Sequence, residues 1–208
     1  MARAYTEMTF TPTVRAVQEQ MGSAEAYGKF LAPEAARNDA LGENEAAFVA
    51  ARDGFYQASV TETGWPYVQF RGGPRGFLKV LDPRTLAYAD FRGNRQYLSV
   101  GNLLSNNRVS LFLMDYPNRR RLKILGRARF VDTNVDPGLV AGLHDGSYRA
   151  VPERAVVISV EAWDWNCPQH IPQRLTLEEL DEQLGPVREE MARLRAENEA
   201  LRAELGQA

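Results

Sequence analysis

Of 208 residues only Cys167 is a cysteine, and only His144 and His170 are histidines. A single thiol closes no intrachain disulfide, so a reducing compartment is expected. The two histidines fall into no His-x-x-x-His or Cys-x-x-Cys spacing, which leaves a zinc site without ligands. No run approaches the ~18 apolar residues of a membrane span, and the first residues lack the apolar stretch of a signal peptide. A cytoplasmic protein with no membrane partner is the expectation. Charge of one sign is missing too: 25 basic residues against 27 acidic leave −2, which argues against a nucleic-acid binder. No internal repeat or low-complexity tract is visible.

What is present is enough apolar material, 44% of the chain, for one sizeable core plus an appendage. Thr11-Pro12 reads as the cap and first turn of a short helix to about Gln20. Asn44 is the expected cap of a second helix, ended by Asp53-Gly54. From Phe55 the period drops to two. Strands are expected at 55–61, 66–71, 77–81, 85–91, 108–116, 121–131 and 154–165, with Gly64 at positive φ in the first hairpin. Short helices are expected at 97–104 and 137–143. Many close-spaced strands with hairpin turns indicate an antiparallel barrel or sandwich, mainly β with peripheral helices.

The C-terminus differs. Thr176-Leu177-Glu178-Glu179 is a capping box, and Gly185-Pro186 is expected to interrupt the helix, with Pro186 starting a second one. Leu184, Val187, Met191, Leu194, Asn198, Leu201 and Leu205 alternate three and four apart, a heptad seam. With Leu184 at position a, the e positions hold Arg188, Arg195 and Arg202 and the g positions Glu190, Glu197 and Glu204. A parallel pair sets glutamate against arginine, whereas an antiparallel pair sets like against like. The other reading is an amphipathic helix lying on its own core, which needs only one apolar stripe. Three segments result: an N-terminal helical arm at 1–40, a central domain at 41–175 and a C-terminal helix at 176–208, a candidate parallel coiled coil.

The chemistry concentrates between strands. Cys167 beside His170 would be a nucleophile and base only if both faced one way, and an inert packed thiol is the plainer reading. Gly72-Gly73-Pro74-Arg75-Gly76 lacks the Walker lysine and its strand-to-helix setting. Arg71, Arg75 and Lys79, followed by Gly93-Asn94-Arg95-Gln96 leading into a helix, supply the converging donors that a phosphate ester needs. Ordinary solvated charge on loop tips accounts for the same residues equally well.

The run from Gly64 to Asp82 resembles the pyridoxamine 5′-phosphate oxidase-like family. So do Ala89-Asp90-Phe91-Arg92-Gly93-Asn94-Arg95-Gln96-Tyr97, Gly101-Asn102-Leu103 and Arg121-Leu122-Lys123-Ile124-Leu125-Gly126. The resemblance covers about residues 41–175. It implies a six-stranded antiparallel split β-barrel that binds flavin mononucleotide (FMN) at the interface of a homodimer. By position it implies that Arg71, Lys79, Arg95 and Gln96 hold the phosphate, with Gln96 replacing a lysine of the family pattern. It places Ala89, Asp90 and Phe91 beside the flavin ring, with Asn102, Arg121 and Leu122 also in the cofactor set. Trp165 and Arg174 are similar to a C-terminal Trp and Arg that approach the partner subunit's flavin. The chain departs from the true oxidases after Arg174, where their substrate-phosphate segment gives way to the heptad helix.

The resemblance thus implies an FMN-dependent oxidoreductase acting on a small molecule, with a nicotinamide cofactor as candidate electron donor. Arg121, which would place positive charge near the flavin, and His170, as an acid or base, are the catalytic candidates. Trp165 is expected as a lid on the ring, or as plain packing. The alternatives are a non-catalytic flavin- or haem-binding or storage protein, in which His170 would be the axial ligand, and a deazaflavin-dependent reductase of the same fold.

Overall fold

A computed structural model describes residues 3–165 and 167–206. Its helices are α1 (Ala4–Thr9), α2 (Pro12–Gln20), α3 (Ala24–Gly28), α4 (Glu43–Ala50), α5 (Leu98–Ser105), α6 (Pro137–Leu143) and α7 (Leu177–Gly206). Its strands are β1 (Gly54–Val60), β2 (Pro66–Gly72), β3 (Lys79–Asp82), β4 (Thr85–Phe91), β5 (Arg108–Asp115), β6 (Arg120–Asp132) and β7 (Pro152–Trp165). The chain divides into two units, one of residues 1–115 and 120–169, the other of residues 116–119 and 170–208.

The first unit carries a single antiparallel sheet in the order β2-β1-β5-β6-β7-β4-β3. The expected six-stranded barrel is therefore corrected: the sheet has seven strands and does not close, because β2 and β3 each keep a free edge among the described residues. Period two governs the flanks. In β1 the alternate residues Phe55, Gln57 and Ser59 are buried, and in β5 Val109, Leu111 and Leu113 are. The centre is different, because β4 and β7 are buried on both faces, and such strands read as continuous apolar runs. Leu86 and Tyr88 of β4 with Val156 and Ile158 of β7 join the main core. Ala87, Ala89, Ala155 and Val157 face the other way, under Val140 and Leu143 of α6.

Two glycines are required by geometry. At Gly126 the β6–β7 register shifts, and a Cβ there would lie 2.5 Å from the Ser159 carbonyl oxygen. Gly64 has φ +86° in the β1–β2 hairpin, as expected. Most element positions follow the sequence, and the departures have local causes. Asn44 lies inside α4; Gly42 is the cap, and Glu45 Oε2 accepts its N–H at 3.0 Å. Strand β3 starts only at Lys79, because Phe77 N–H bonds Pro74 O at 2.9 Å in a turn with Gly76 at φ +75°. Phe77 and Leu78 leave the ladder but stay buried in the core. The helices α1 and α3, six and five residues long, are too short to show a period.

In the second unit the Thr176 capping box forms: its Oγ1 accepts from Glu179 N–H at 3.1 Å while Glu179 Oε2 accepts from Thr176 N–H at 2.9 Å. The expected break at Gly185-Pro186 does not occur, since α7 runs 30 residues with Pro186 inside it. The proline withholds one donor from the ladder, a cost of about 3 kcal/mol that a long helix survives. No residue of α7 is buried. Among the described residues no helix is long and apolar enough to cross a membrane.

Candidate functional site

On β2, Tyr67, Gln69 and Arg71 project to one face while Val68 and Phe70 project to the other and stay exposed. The first three form one wall of a cleft of about 210 Å³. Asp90 and Phe91 at the end of β4 form its floor, and Asn94, Arg95, Gln96 and the first turn of α5 close it. The loop takes its shape from two left-handed non-glycine residues, Arg95 at φ +62° and Tyr97 at +53°. Asn94 Oδ1 fixes it by accepting Gln96 N–H at 3.2 Å. Tyr97 then turns the chain into α5, whose first intrahelical bond is Gly101 N–H to Tyr97 O. The amides of Leu98, Ser99 and Val100 thus have no acceptor within the helix, and these residues line the cleft.

Charge is layered beneath. Arg71 Nη1 donates to Asp90 Oδ1 at 2.9 Å, and Arg154 Nε lies 3.7 Å from Asp90 Oδ2. Glu153 joins Arg92 (3.1 Å), Arg154 (3.4 Å) and the Tyr97 hydroxyl (3.3 Å). Burial pushes the Asp90 carboxyl above the ordinary carboxylate range, although Arg71 and then Arg154 pull it down. For Glu153 partial desolvation also works upward, but bonds from Arg92 and Tyr97 outweigh it and hold the carboxyl below its usual value. The Nε atoms of Arg71 and Arg154 are buried without a hydrogen-bond partner. Arg71 and Arg95 line the cleft, and guanidinium donors are suited to an oxyanion.

The structure thus brings Arg71, Asp90, Phe91, Arg95 and Gln96 to one cleft. Ala89 lines a neighbouring hollow of about 240 Å³ that shares Arg71, Asp90 and Phe91. Lys79 is exposed on β3 and lines neither. Asn102 is buried in α5 and donates to Ser59 Oγ at 3.1 Å, tying the helix to β1. Leu122 is fully buried in the core. Trp165 packs edge-on against Phe48, with ring centroids 4.8 Å apart, and gives its indole N–H to Glu45 Oε1 at 2.8 Å. The Arg120 guanidinium lies 4.4 Å over the Trp165 ring. Arg174 and His170 belong to the second unit; Arg174 lies 5.1 Å over Tyr116, and His170 is exposed at φ +62°. Asn166, within the Trp163–Arg174 stretch, lies outside the described residues.

Arg121 has a different position. Arg71 pairs with Phe55, Gln57 with Leu111 and Leu111 with Ile124, which sets Arg71 on the sheet face of Ile124. Arg121, three residues before Ile124 on β6, therefore lies on the opposite face, 5.8 Å over the Phe112 ring. Sequence reasoning missed Tyr67, Gln69, Glu153 and Arg154. The first two had a signal, the i, i+2, i+4 spacing to Arg71. The others had none, since Arg154 meets Asp90 only through the β4–β7 register.

The pyridoxamine 5′-phosphate oxidase profile matches residues 41–166. Among solved structures the chain is similar to HupZ of Group A Streptococcus, at 14% identity over 65% of this chain and 100% of that one, TM-score 0.47. It is similar to an FMN-binding protein of Syntrophomonas wolfei at 10% identity over 74% and 95%, TM-score 0.47. General stress protein 26 of Bacillus anthracis is 13% identical over 57% and 88%, TM-score 0.44. No curated protein matches the sequence. The profile match spans more than half of the residues, and the chain belongs to the pyridoxamine 5′-phosphate oxidase family.

Proposed function

We propose that this protein is an FMN-dependent oxidoreductase acting on a small molecule, with the flavin held between two copies of the chain. The carrying observation is the cleft in which Arg71, Arg95 and the unbonded first-turn amides of α5 converge. That donor set suits a phosphate monoester. Gln96 adds a neutral donor where the family pattern has a cation. When bound, FMN supplies the redox chemistry, and the protein supplies position and electrostatics.

Two features support a shared site. At about 210 Å³ the cleft is smaller than the ~300–1,000 Å³ of sites that enclose a drug-sized ligand. Arg71 and Arg121 also lie on opposite sheet faces, so one chain alone does not offer both to one ligand. The outer face around Arg121 is apolar and open: Tyr56, Val68 and Phe70 are exposed there, with Tyr56 and Phe70 in ring contact at 5.4 Å. A second copy seated on that face would cover its exposed aromatic rings and bury both Arg121 side chains at the contact.

The test is the ligand of the purified protein. Heat-released FMN, identified by chromatography, is expected, and Arg71→Leu should weaken rebinding by about 10- to 100-fold, one charge-assisted contact. Reduction by NADH or NADPH in stopped flow separates an enzyme from a carrier. A protein that takes up no FMN at micromolar concentration, or shows a single Soret band instead, refutes the reading.

A further inference from the structure

Helix α7 carries an apolar seam that stays exposed along its whole length. Its continuity through Pro186 extends the heptads backward, because Leu177 and Leu180 fall at positions a and d one heptad before Leu184 and Val187. The seam therefore spans four heptads on a single unbroken helix, with Asn198 its one polar member. Leu177 is 87% exposed, and Leu194 and Leu201 about half. Pro186 takes position c, away from the seam.

The flanking charges are divided. Arg193, at position c, holds both Glu190 (2.6 Å) and Glu197 (3.5 Å) on its own helix, and Arg188 pairs with Asp181. Arg195 and Arg202, both at e, make no ion pair or hydrogen bond among the described residues. With Met191, Leu194, Asn198 and Glu199 they border a groove along the helix. These two cations sit one heptad beyond Glu190 and Glu197, which occupy g. In a parallel two-stranded coil each g residue faces the e residue of the next heptad on the other strand.

We infer that α7 pairs in parallel with α7 of a second copy, through a four-heptad coiled coil registered by Asn198 against its twin. The charges select this occupant. A parallel twin offers Glu190 to Arg195 and Glu197 to Arg202 in both directions, whereas an antiparallel twin sets Arg against Arg and Glu against Glu. The arrangement is self-complementary, which a second copy satisfies without any other partner. The buried amide finds its donor and acceptor only when position 198 meets position 198. The inference does not depend on FMN.

The full-length protein tests it, with Cys167→Ser removing the exposed native thiol. In that background Asn198→Cys should oxidise to a covalent dimer, while Ala196→Cys, at outward position f, should not. Adding Arg195→Glu and Arg202→Glu to Asn198→Cys should slow cross-linking at least about tenfold by setting like charges across the seam. Mixing that protein with a Glu190→Arg, Glu197→Arg partner that also carries Asn198→Cys should restore cross-linking as a heterodimer. Cross-linking of Asn198→Cys with Val187→Cys, a position d, in a mixture without the 198–198 product would mean an antiparallel pair and overturn the inference. So would a protein that sediments as a dimer yet forms no 198–198 disulfide; that result leaves the proposed flavin dimer standing.

Discussion

Replacing Asp90 by leucine and by asparagine separates the two things this carboxylate does beneath the cleft. Its side chain is 8% exposed, and Arg71 and Arg154 are 20% and 19% exposed. Because burial lifts the carboxyl above its ordinary range despite both arginines, ionisation of Asp90 is not itself a gain for the fold. What the fold gains is an acceptor for Arg71 at 2.9 Å. Leucine removes that acceptor and leaves a largely buried guanidinium unbonded. A hydrogen bond to a charged group is worth ~1.5–3 kcal/mol, so Asp90→Leu should cost about 2–3 kcal/mol. In a chain of this size that lowers Tm by roughly 4–12 °C. Asparagine has the shape of the neutral acid and still accepts from Arg71, so Asp90→Asn should cost less than ~1 kcal/mol. Differential scanning calorimetry of both variants at neutral pH, with Arg71→Leu and the double variant completing a cycle, gives the coupling directly. An asparagine variant as unstable as the leucine variant would refute the reasoning, since the charge and not the acceptor would then carry the effect. So would a coupling below ~0.5 kcal/mol.

Two further outcomes follow from buried groups. The raised carboxyl means that folded protein binds the Asp90 proton more tightly than unfolded chain does. Its contribution is fully present below the ordinary value of 3.8 and is lost as pH rises through the folded value. Wild type should therefore lose stability relative to Asp90→Asn as pH increases through that window; urea titrations in which the difference stays flat or grows the other way would contradict it. In the core, Tyr88 Oη donates to Gln57 Oε1 at 2.8 Å, and both side chains are about 1% exposed. Tyr88→Phe should cost ~1–3 kcal/mol by leaving Gln57 without its donor, while adding Gln57→Leu should recover most of that loss in the same denaturation assay.

The strands were legible because their chemistry is local. Period-two burial along β1 and β5, the Gly64 turn and the two-sided apolar run Ala155–Ile158 all follow from neighbouring residues. Helix α7 was half legible. Its seam could be seen, but Gly185-Pro186 read as a stop, because local propensity says nothing of how much helix on either side holds the geometry. That the sheet stays open was not legible at all, since closure depends on whether β2 and β3 find partners, and no residue on either strand encodes that alone.

The site divides along the same line, and the division has a physical cause. Arg71, Arg95 and Gln96, which the fold brings to one cleft, could be picked out as donors because donors have names in a sequence. The acidic layer beneath them could not. Asp90 meets Arg154 across 64 residues of chain, through a β4–β7 register that shifts between Asp90 and Phe91. That shift at the end of β4 sets the strand's last side chains at the cleft floor and brings Glu153 to Arg92 and Tyr97. A cluster with Arg71, Arg92 and Arg154 on one side and Asp90 and Glu153 on the other keeps its arginines ordered while leaving Nε atoms unused. Donors already ordered by these carboxylates lose little further entropy on meeting an anion, so under the proposed function the carboxylates, which by charge alone oppose a phosphate, aid its binding.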